Sequence, residues 1–189
     1  MYTVGAVADH SSATGSFEQL AMPLFASLYN FAFWLAQDQA AAEDLVQETY
    51  MKALKGFSSF EQGSNFRAWI YRILRNTFMT SQAGLKAAAF VSLDGDDESP
   101  ADPGMEIGTY VTPESLLLAR IERQAIQQAL QELPVAFREV ILLCDMEEMS
   151  YHEIGLALGI PIGTVMSRVS RARRAMRKLL AASIEGAAQ

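Results

Sequence analysis

Apolar residues recur every three or four positions along most of this chain, and that spacing is typical of amphipathic helices. Alternating apolar and polar residues, which would indicate strands, are not evident over a useful length. In the first half the pattern predicts helices at about 17–36, 40–55 and 65–80, with a turn at 56–64. In the second half it predicts helices at 113–133, 135–143, 151–158 and about 164–180. We therefore expect an all-α fold.

Local signals predict several helix ends. Ser150 and Glu153 have the spacing of a capping box, in which each side chain bonds to the backbone of the other residue. Gly159 follows at a position where a left-handed residue commonly ends a helix. Thr112-Pro113 can begin a helix as N-cap and first residue, and Pro134 can end one helix and begin the next.

Residues 87–111 interrupt the helical pattern. They combine Pro100 and Pro103 with Gly95, Gly104 and Gly108, and such a mixture cannot continue a helix and buries little surface. The stretch also exceeds the ~12–15 residues that loops within a compact domain usually have. We expect two small helical domains joined by a long flexible acidic linker. The predicted boundaries are an N-terminal extension at 1–16, a first domain at 17–86, the linker at 87–111, a second domain at 112–181 and a tail at 182–189.

The distribution of charge changes what the composition implies. The 189-residue chain has 15 basic and 22 acidic side chains, and a net charge of −7 argues against a nucleic-acid partner. However, residues 87–119 carry seven acids and no base, so the two flanking parts together are neutral. Within those parts the basic residues concentrate on two helices, and the objection no longer holds.

The last predicted helix carries its bases on one side. Six bases lie between Arg168 and Lys178 without an intervening acid, opposite an apolar stripe that begins at Val165. A short capped helix, a glycine turn and a basic second helix are typical of a helix-turn-helix, whose second helix enters the major groove. Serine and arginine can bond there to base edges and phosphates. We prefer this interpretation to a solvated basic face, and the candidate residues are Thr164, Ser167, Arg168, Ser170, Arg171, Arg173, Arg174 and Arg177.

The helix predicted at 65–80 suits a single nucleic-acid strand. Arg72 and Arg75 are expected to face outward with Tyr71 between them, and basic residues among aromatics can hold phosphates while the rings stack on bases. The preceding turn could hold an extruded base through its amide groups. For Trp69 the alternative of a core or rim aromatic stays open. The candidate residues are Asn65, Phe66, Trp69, Tyr71, Arg72, Arg75 and Asn76.

The helix predicted at 40–55 has an exposed face of a different kind. Asp44, Gln47, Glu48 and Met51 fall together on it. Acidic faces are usually only solvated, but an exposed methionine among them hints at a protein partner.

Four segments together resemble a known family. They are DLVQETYMKAL at 44–54, FRAWIYRILRNT at 66–77, LQELPVAFREVILL at 130–143 and SYHEIGLALGIPIGTVMSRVSRARRAM at 150–176. Their order and spacing are similar to those of bacterial RNA polymerase sigma factors of the sigma-70 family, in the extracytoplasmic-function (ECF) subfamily.

The resemblance implies a transcription initiation factor with a sigma-2 and a sigma-4 domain and no separate sigma-3 domain. It places the Asp44, Gln47, Glu48 and Met51 face on the β′ clamp helices of core RNA polymerase, and sigma-4 on the β flap. Sigma-2 would melt and capture the −10 element, and sigma-4 would read the duplex −35 element, with Arg173, Arg174 and Arg177 on phosphates. The resemblance also implies an anti-sigma partner. Met166 and Ser170 depart from the residues that many relatives carry, so the promoter sequence cannot be copied from them.

Two alternatives to an initiation factor stay open. One is a DNA-binding regulator that does not engage polymerase, but residues 1–86 lack the βα pattern of a receiver domain. The other is a decoy that sequesters an anti-sigma factor, although a decoy would not need its basic helices.

Catalytic and metal-binding patterns are missing from the sequence. A nucleophile triad, a metal cluster and a phosphate-binding loop with its lysine are all absent, so we expect no enzyme activity, metal, cofactor or small-molecule substrate. Cys144 is the single cysteine, which precludes an intrachain disulfide. No signal peptide or membrane span is evident, and we expect a cytoplasmic protein.

Overall fold

The computed structural model of the protein describes residues 16–61, 63–89 and 113–187. In the first part, α1 (residues 16–21) leads through a 3-10 turn at Met22–Leu24 into α2 (Phe25–Ala36), α3 (Gln39–Gly56), a second 3-10 turn at Phe57–Ser59 and α4 (Phe66–Ala89). In the second part, α5 (Pro113–Glu132) is followed by α6 (Val135–Ile141), a π-helical turn at Leu142–Met146, α7 (Tyr151–Leu158) and α8 (Ile162–Ala187). The expected all-α fold is confirmed.

Three helices differ from their predicted lengths. The helix predicted at 17–36 is interrupted by a 3-10 turn that contains Pro23, whose nitrogen has no proton to donate to an α-helical bond. Helix α4 continues to Ala89 and so includes the first three residues of the predicted linker. Helix α8 begins at Ile162 and continues into the predicted tail. Residues 1–15 of the predicted N-terminal extension, the remainder of the linker and Thr112 lie outside the described residues, whereas residue 16 begins α1.

The capping signals are found where the sequence predicts them. The Ser150 hydroxyl accepts from the Glu153 amide at 3.3 Å, and the Glu153 carboxylate accepts from the Ser150 amide at 2.8 Å. Gly159 ends α7 with φ of +64°, in the left-handed region where glycine is favoured. Two further N-caps were not predicted: Asp38 accepts from the Ala41 amide at 2.7 Å, and Asn65 accepts from the Ala68 amide at 2.9 Å.

The first domain is a bundle of α2, α3 and α4. Leu28 and Phe31 of α2 and Ile70 and Leu74 of α4 are almost completely buried between these helices. At one end of the bundle, aromatic rings pack together, and the contacts of Phe66 with Phe17, Phe57 and Phe60 are edge to face, which suits the charge distribution of the rings. This aromatic cluster consists of Phe17, Phe57, Phe60, Phe66 and Trp69. The bundle buries one side of α3 and one side of α4, and the other side of each helix lies outside the core of this domain.

The second domain packs α5, α6, α7 and α8 around apolar side chains of its own helices, among them Leu142, Ile154 and Val165. Buried Arg138 replaces a C-cap for α5: its guanidinium donates to the carbonyls of Leu130, Gln131 and Leu133. Burial lowers the pKa of Arg138, because the apolar surroundings disfavour its charged form. Its side chain also donates to the Trp34 carbonyl of the first domain, at 3.3 Å.

The two domains share one continuous apolar core, in which α4 lies against α7. This packing decides which faces of α4 and α8 stay exposed. None of the helices in the described ranges is long and apolar enough to cross a membrane.

Candidate nucleic-acid interfaces

Helices α7 and α8 form the predicted helix-turn-helix. Val165, Val169 and Ala172 of α8 are completely or almost completely buried, as the helical wheel predicts. The turn is tight: a Cβ atom on Gly155 would lie 3.0 Å from the Ile160 carbonyl oxygen. A glycine at position 155 therefore lets the turn close on α7, a role that sequence reasoning did not assign to it.

The outer face of α8 carries most of the predicted residues. Ser170, Arg171, Arg174 and Arg177 are exposed, and Thr164 and Ser167 are half-buried. Arg171 bonds back to Ser167: its Nε donates to the carbonyl at 3.3 Å and its Nη2 to the hydroxyl at 3.1 Å. These bonds orient the guanidinium along the face before any ligand binds.

Two of the predicted arginines on α8 have acidic partners within the domain. The Arg168 guanidinium lies 3.6 Å from the Glu139 carboxylate, and this side chain is largely covered. Arg173 donates to Asp145 across to the π-helical turn, and this carboxylate raises the pKa of Arg173. Both arginines are less free than the wheel suggests.

The predicted −10 residues of α4 fall into two groups. Arg72 and Asn76 are exposed, as expected. Tyr71 and Arg75 are not, and the expectation that they face outward is wrong for this structure. Tyr71 is only 1% exposed and packs against Phe31, with ring centroids 5.2 Å apart. Burial raises the pKa of Tyr71, so the phenol stays neutral.

Asn65 and Arg75 are instead bound to the second domain. The Asn65 amide donates to Glu153 at 2.9 Å, and Arg75 Nε donates to Glu139 at 2.9 Å. The physical reason is the packing of α4 against α7, which turns this side of α4 away from solvent.

Phe66 and Trp69 belong to the aromatic cluster. Trp69 is half-buried, with ring centroids 5.0 Å from Phe60 and 5.4 Å from Phe66. Phe66 is 8% exposed. The rim position of Trp69 leaves part of its ring accessible beside the turn at 63–65.

Sequence reasoning missed a second set of partners at this interface. Arg67 Nη2 donates to the Glu147 carbonyl at 2.6 Å and to the Glu147 carboxylate at 2.8 Å. The sequence does contain a signal, because Arg67, Tyr71 and Arg75 are spaced by four and share one helix face. Nothing in the sequence, however, links that face to acids 64 or more positions away.

The face of α3 is as predicted. Asp44, Gln47, Glu48 and Met51 are exposed, and Glu48 pairs with Lys52 at 2.7 Å. Beside this face lies an open apolar groove of about 600 Å³ between α2 and α3. Its lining residues are Phe25, Tyr29, Glu43, Val46, Gln47, Tyr50 and Met51.

These features define a class of protein: a helical protein of two domains, one of which contains a helix-turn-helix with basic side chains on its outer face. The family profile Sigma-70 region 2 matches residues 23–83, and the profile Sigma-70, region 4 matches residues 123–176. We therefore name the domains region 2 and region 4.

Curated relatives agree with this assignment. The ECF RNA polymerase sigma-E factor of Salmonella typhimurium strain LT2 is 33% identical over 136 residues, which cover 70% of either chain. The ECF RNA polymerase sigma factor SigW of Bacillus subtilis is 31% identical over 158 residues, 81% of this chain and 82% of the relative. SigE of Mycolicibacterium smegmatis is 36% identical over 89% of this chain, which spans only 65% of that relative.

The chain belongs to the ECF subfamily of sigma-70 RNA polymerase sigma factors. Such factors direct RNA polymerase to promoters and are not enzymes. Among solved structures, the sigma factor RpoE in complex with the anti-sigma factor NepR from Bartonella quintana has a TM-score of 0.68 and 33% identity, covering 87% of this chain and 96% of that one. CnrH in complex with the cytosolic domain of CnrY, at 24% identity and a TM-score of 0.63 over 92% and 95% of the chains, supports the fold alone.

Proposed function

We propose that this chain brings RNA polymerase to promoters through two separate nucleic-acid surfaces. Helix α8 reads the duplex −35 element, and α4 with its preceding turn captures the melted −10 element. The observation that carries the proposal is the outer face of α8, where Ser170, Arg171, Arg174 and Arg177 are exposed next to a capped, glycine-ended α7.

In the proposed −35 contact, Ser167, Ser170 and Arg171 face the base edges, and Arg168 would join them only by turning away from Glu139. Arg171 is pre-oriented by Ser167, which lowers the entropy lost when it binds a guanine or phosphate. Arg173, Arg174 and Arg177 hold phosphates, and Thr164 lies at the start of the same face.

In the proposed −10 contact, exposed Arg72 and Asn76 hold the strand and the accessible part of Trp69 stacks on a base. Phe66 supports Trp69 from within the aromatic cluster. Asn65 and Arg75 join this surface only after region 4 leaves α4, since both are bound to region 4 in this structure. Tyr71 packs against Phe31 beneath this surface.

Two further surfaces support a partnership with core RNA polymerase. The face of Asp44, Gln47, Glu48 and Met51 docks on the β′ clamp helices, with the adjacent apolar groove receiving a side chain. On region 4 a second groove of about 410 Å³ between α5, α6 and α8 suits an apolar segment of the β flap. Its apolar lining includes Ile126, Leu130, Ile141, Met146, Met176 and Leu180.

We also propose an anti-sigma partner, because the similar RpoE chain is seen with NepR. A factor that works on promoters and polymerase would act in the cytoplasm.

The test is transcription in vitro with bacterial core polymerase on genomic DNA fragments, with start sites mapped. We expect initiation at a small set of sites that core polymerase alone does not use. Absence of chain-dependent start sites would favour a regulator or decoy. Arg171→Ala should reduce these start sites, while the exposed acidic control Glu132→Gln should not.

A further inference from the structure

One face of α4 is covered by carboxylates of region 4. Asn65 contacts Glu153 at 2.9 Å, Arg67 contacts Glu147 at 2.8 Å, and Arg75 contacts Glu139 at 2.9 Å. Arg67 and Arg75 lie eight residues apart, hence on one side of the helix, and Asn65 caps the start of that helix. Three acids from one domain thus meet three donors from the other, along about 15 Å of helix at 1.5 Å rise per residue.

Glu139 is the most completely covered of these acids. It is completely buried, and both of its neighbours are arginines of nucleic-acid surfaces: Arg75 of α4 and Arg168 of α8. A buried carboxylate without a partner is very unfavourable. Arg168 comes from the same domain as Glu139, so this acid keeps a counterion whether or not α4 is present.

The arrangement resembles a nucleic-acid contact in its chemistry. Carboxylates accept charge-assisted hydrogen bonds from arginine and asparagine, as phosphate oxygens do. The Arg67 and Arg75 side chains are still about a third and a fifth exposed, with values of 32% and 22%, so water can reach this contact. Opening this contact also separates α4 from α7, with which it shares the apolar core, so the charged contacts are one component of closure.

We propose that Glu139, Glu147 and Glu153 of region 4 stand in for DNA phosphates on α4, so that region 4 and the single strand compete for Asn65, Arg67 and Arg75. The proposal rests on the assignment of α4 to the −10 element. In the isolated chain the acids hold α4 closed, and the chain binds a single strand only in the fraction of time that region 4 has left. Glu139 then remains with Arg168, which helps to keep region 4 folded in the open state.

The test uses the full chain with the carboxylates made neutral. Glu139→Gln and Glu147→Gln keep side-chain shape and remove the charge. The control Glu18→Gln/Glu148→Gln makes the same change in net charge at two exposed positions. Spin labels on Ser58→Cys and Glu132→Cys, in a Cys144→Ser background, report the distance between the two domains. A fluorescein-labelled single-stranded 12-mer of mixed sequence serves as the nucleic-acid probe.

We expect one short distance in the parent chain and in Glu18→Gln/Glu148→Gln, and a longer, broader distribution in the Glu139→Gln/Glu147→Gln chain. Affinity for the 12-mer should rise about tenfold in the double variant, because the apparent affinity scales with the open fraction. A long distance in the parent chain would overturn the proposal. So would an unchanged distance in the double variant, or a longer distance without tighter binding.

A charge swap separates closure from folding and from net charge. Arg67→Glu should open the domains, and Arg67→Glu with Glu147→Arg should close them again at the parent net charge. Failure of the double swap to restore the short distance would count against a specific contact. Failure of the proposed function would be seen independently. In that case the chain would give no start sites in transcription, although the distances between the spin labels would still change with the substitutions.

Discussion

Helices α4 and α8 carry similar arginine-rich faces but use them differently in this structure. On α8 the side chains of Ser170, Arg171, Arg174 and Arg177 are exposed, and Arg171 is oriented by Ser167 of the same helix. On α4 Asn65 is bound to Glu153 and Arg75 to Glu139 of region 4. The difference shows that the α8 face is available to duplex DNA without any rearrangement, whereas the α4 face is already bound by carboxylates of region 4.

The two faces also differ in what supports them. Helix α8 packs on α5, α6 and α7 of region 4, and Val165, Val169 and Ala172 are its buried residues. Helix α4 contributes Ile70 and Leu74 to region 2, while its outer side depends on region 4. Disturbing region 4 should therefore change both faces, but disturbing region 2 should change mainly one.

The largest effect is expected from a matched pair of core substitutions. Ile70 and Ile154 are both completely buried, one in each region. Replacing either with Ala should lower the free energy of unfolding by about 2–5 kcal/mol, from lost burial and the cavity left behind. Urea unfolding followed by circular dichroism measures the loss.

This pair also tests whether the regions unfold together. Since they share one apolar core, we expect a single transition that either substitution moves to lower urea. Two transitions, of which each substitution moves only one, would show that the contact between the regions adds little stability.

The next effect concerns binding rather than folding. In the polymerase complex, Arg171→Ala should weaken binding of duplex −35 DNA by about 1–3 kcal/mol and relax its base preference. Arg75→Ala should leave the duplex contact unchanged and impair opening of the −10 element. Fluorescence anisotropy on duplex fragments and permanganate footprints of the melted region measure the two losses. Equal effects of both substitutions on both elements would contradict two separate surfaces.

A smaller effect is expected from the two helix caps. Ser150 caps α7 and Asp38 caps α3, each by accepting from an amide of the first helical turn. Replacing either with Ala should cost about 1 kcal/mol of stability. Only Ser150→Ala should also weaken duplex binding, because α7 positions α8. A loss of duplex binding in Asp38→Ala would show that α8 depends on region 2 more than its contacts indicate.

The parts of the fold that depend on residues close in sequence could be predicted. The capping box at Ser150, the left-handed Gly159 and the buried stripe from Val165 depend on neighbours within one or two helical turns. The exposed α8 face follows from the same periodicity. The interruption at Pro23 was also within reach, since proline removes a backbone donor.

The α4 face could not be predicted in the same way. Tyr71 and Arg75 lie opposite the apolar stripe on a wheel, which is why solvent was the expected neighbour. Their actual surroundings include Glu147 and Glu139, and for Arg75 the partner is 64 residues away. A wheel describes one helix in water and contains no information on a second domain that brings its own acids.

The smallest effect is expected from a change of pH, which acts on the carboxylate of Glu153 in region 4 and on its contact with Asn65 of region 2. Hydrogen bonds from Ser150 and Asn65 lower the pKa of Glu153 below its ordinary value of 4.5. A group with a lowered pKa in the folded state stabilises it above the ordinary pKa, and this contribution is lost as pH falls through the folded value. Acidification should thus weaken both the α7 cap and the contact with Asn65, while the Asn65 cap of α4 carries no charge to lose.

Urea unfolding between about pH 6 and 3 should show a steeper loss of stability in the parent chain than in Glu153→Gln, whose amide cannot titrate. Parallel curves for the two chains would show that Glu153 contributes nothing to this dependence.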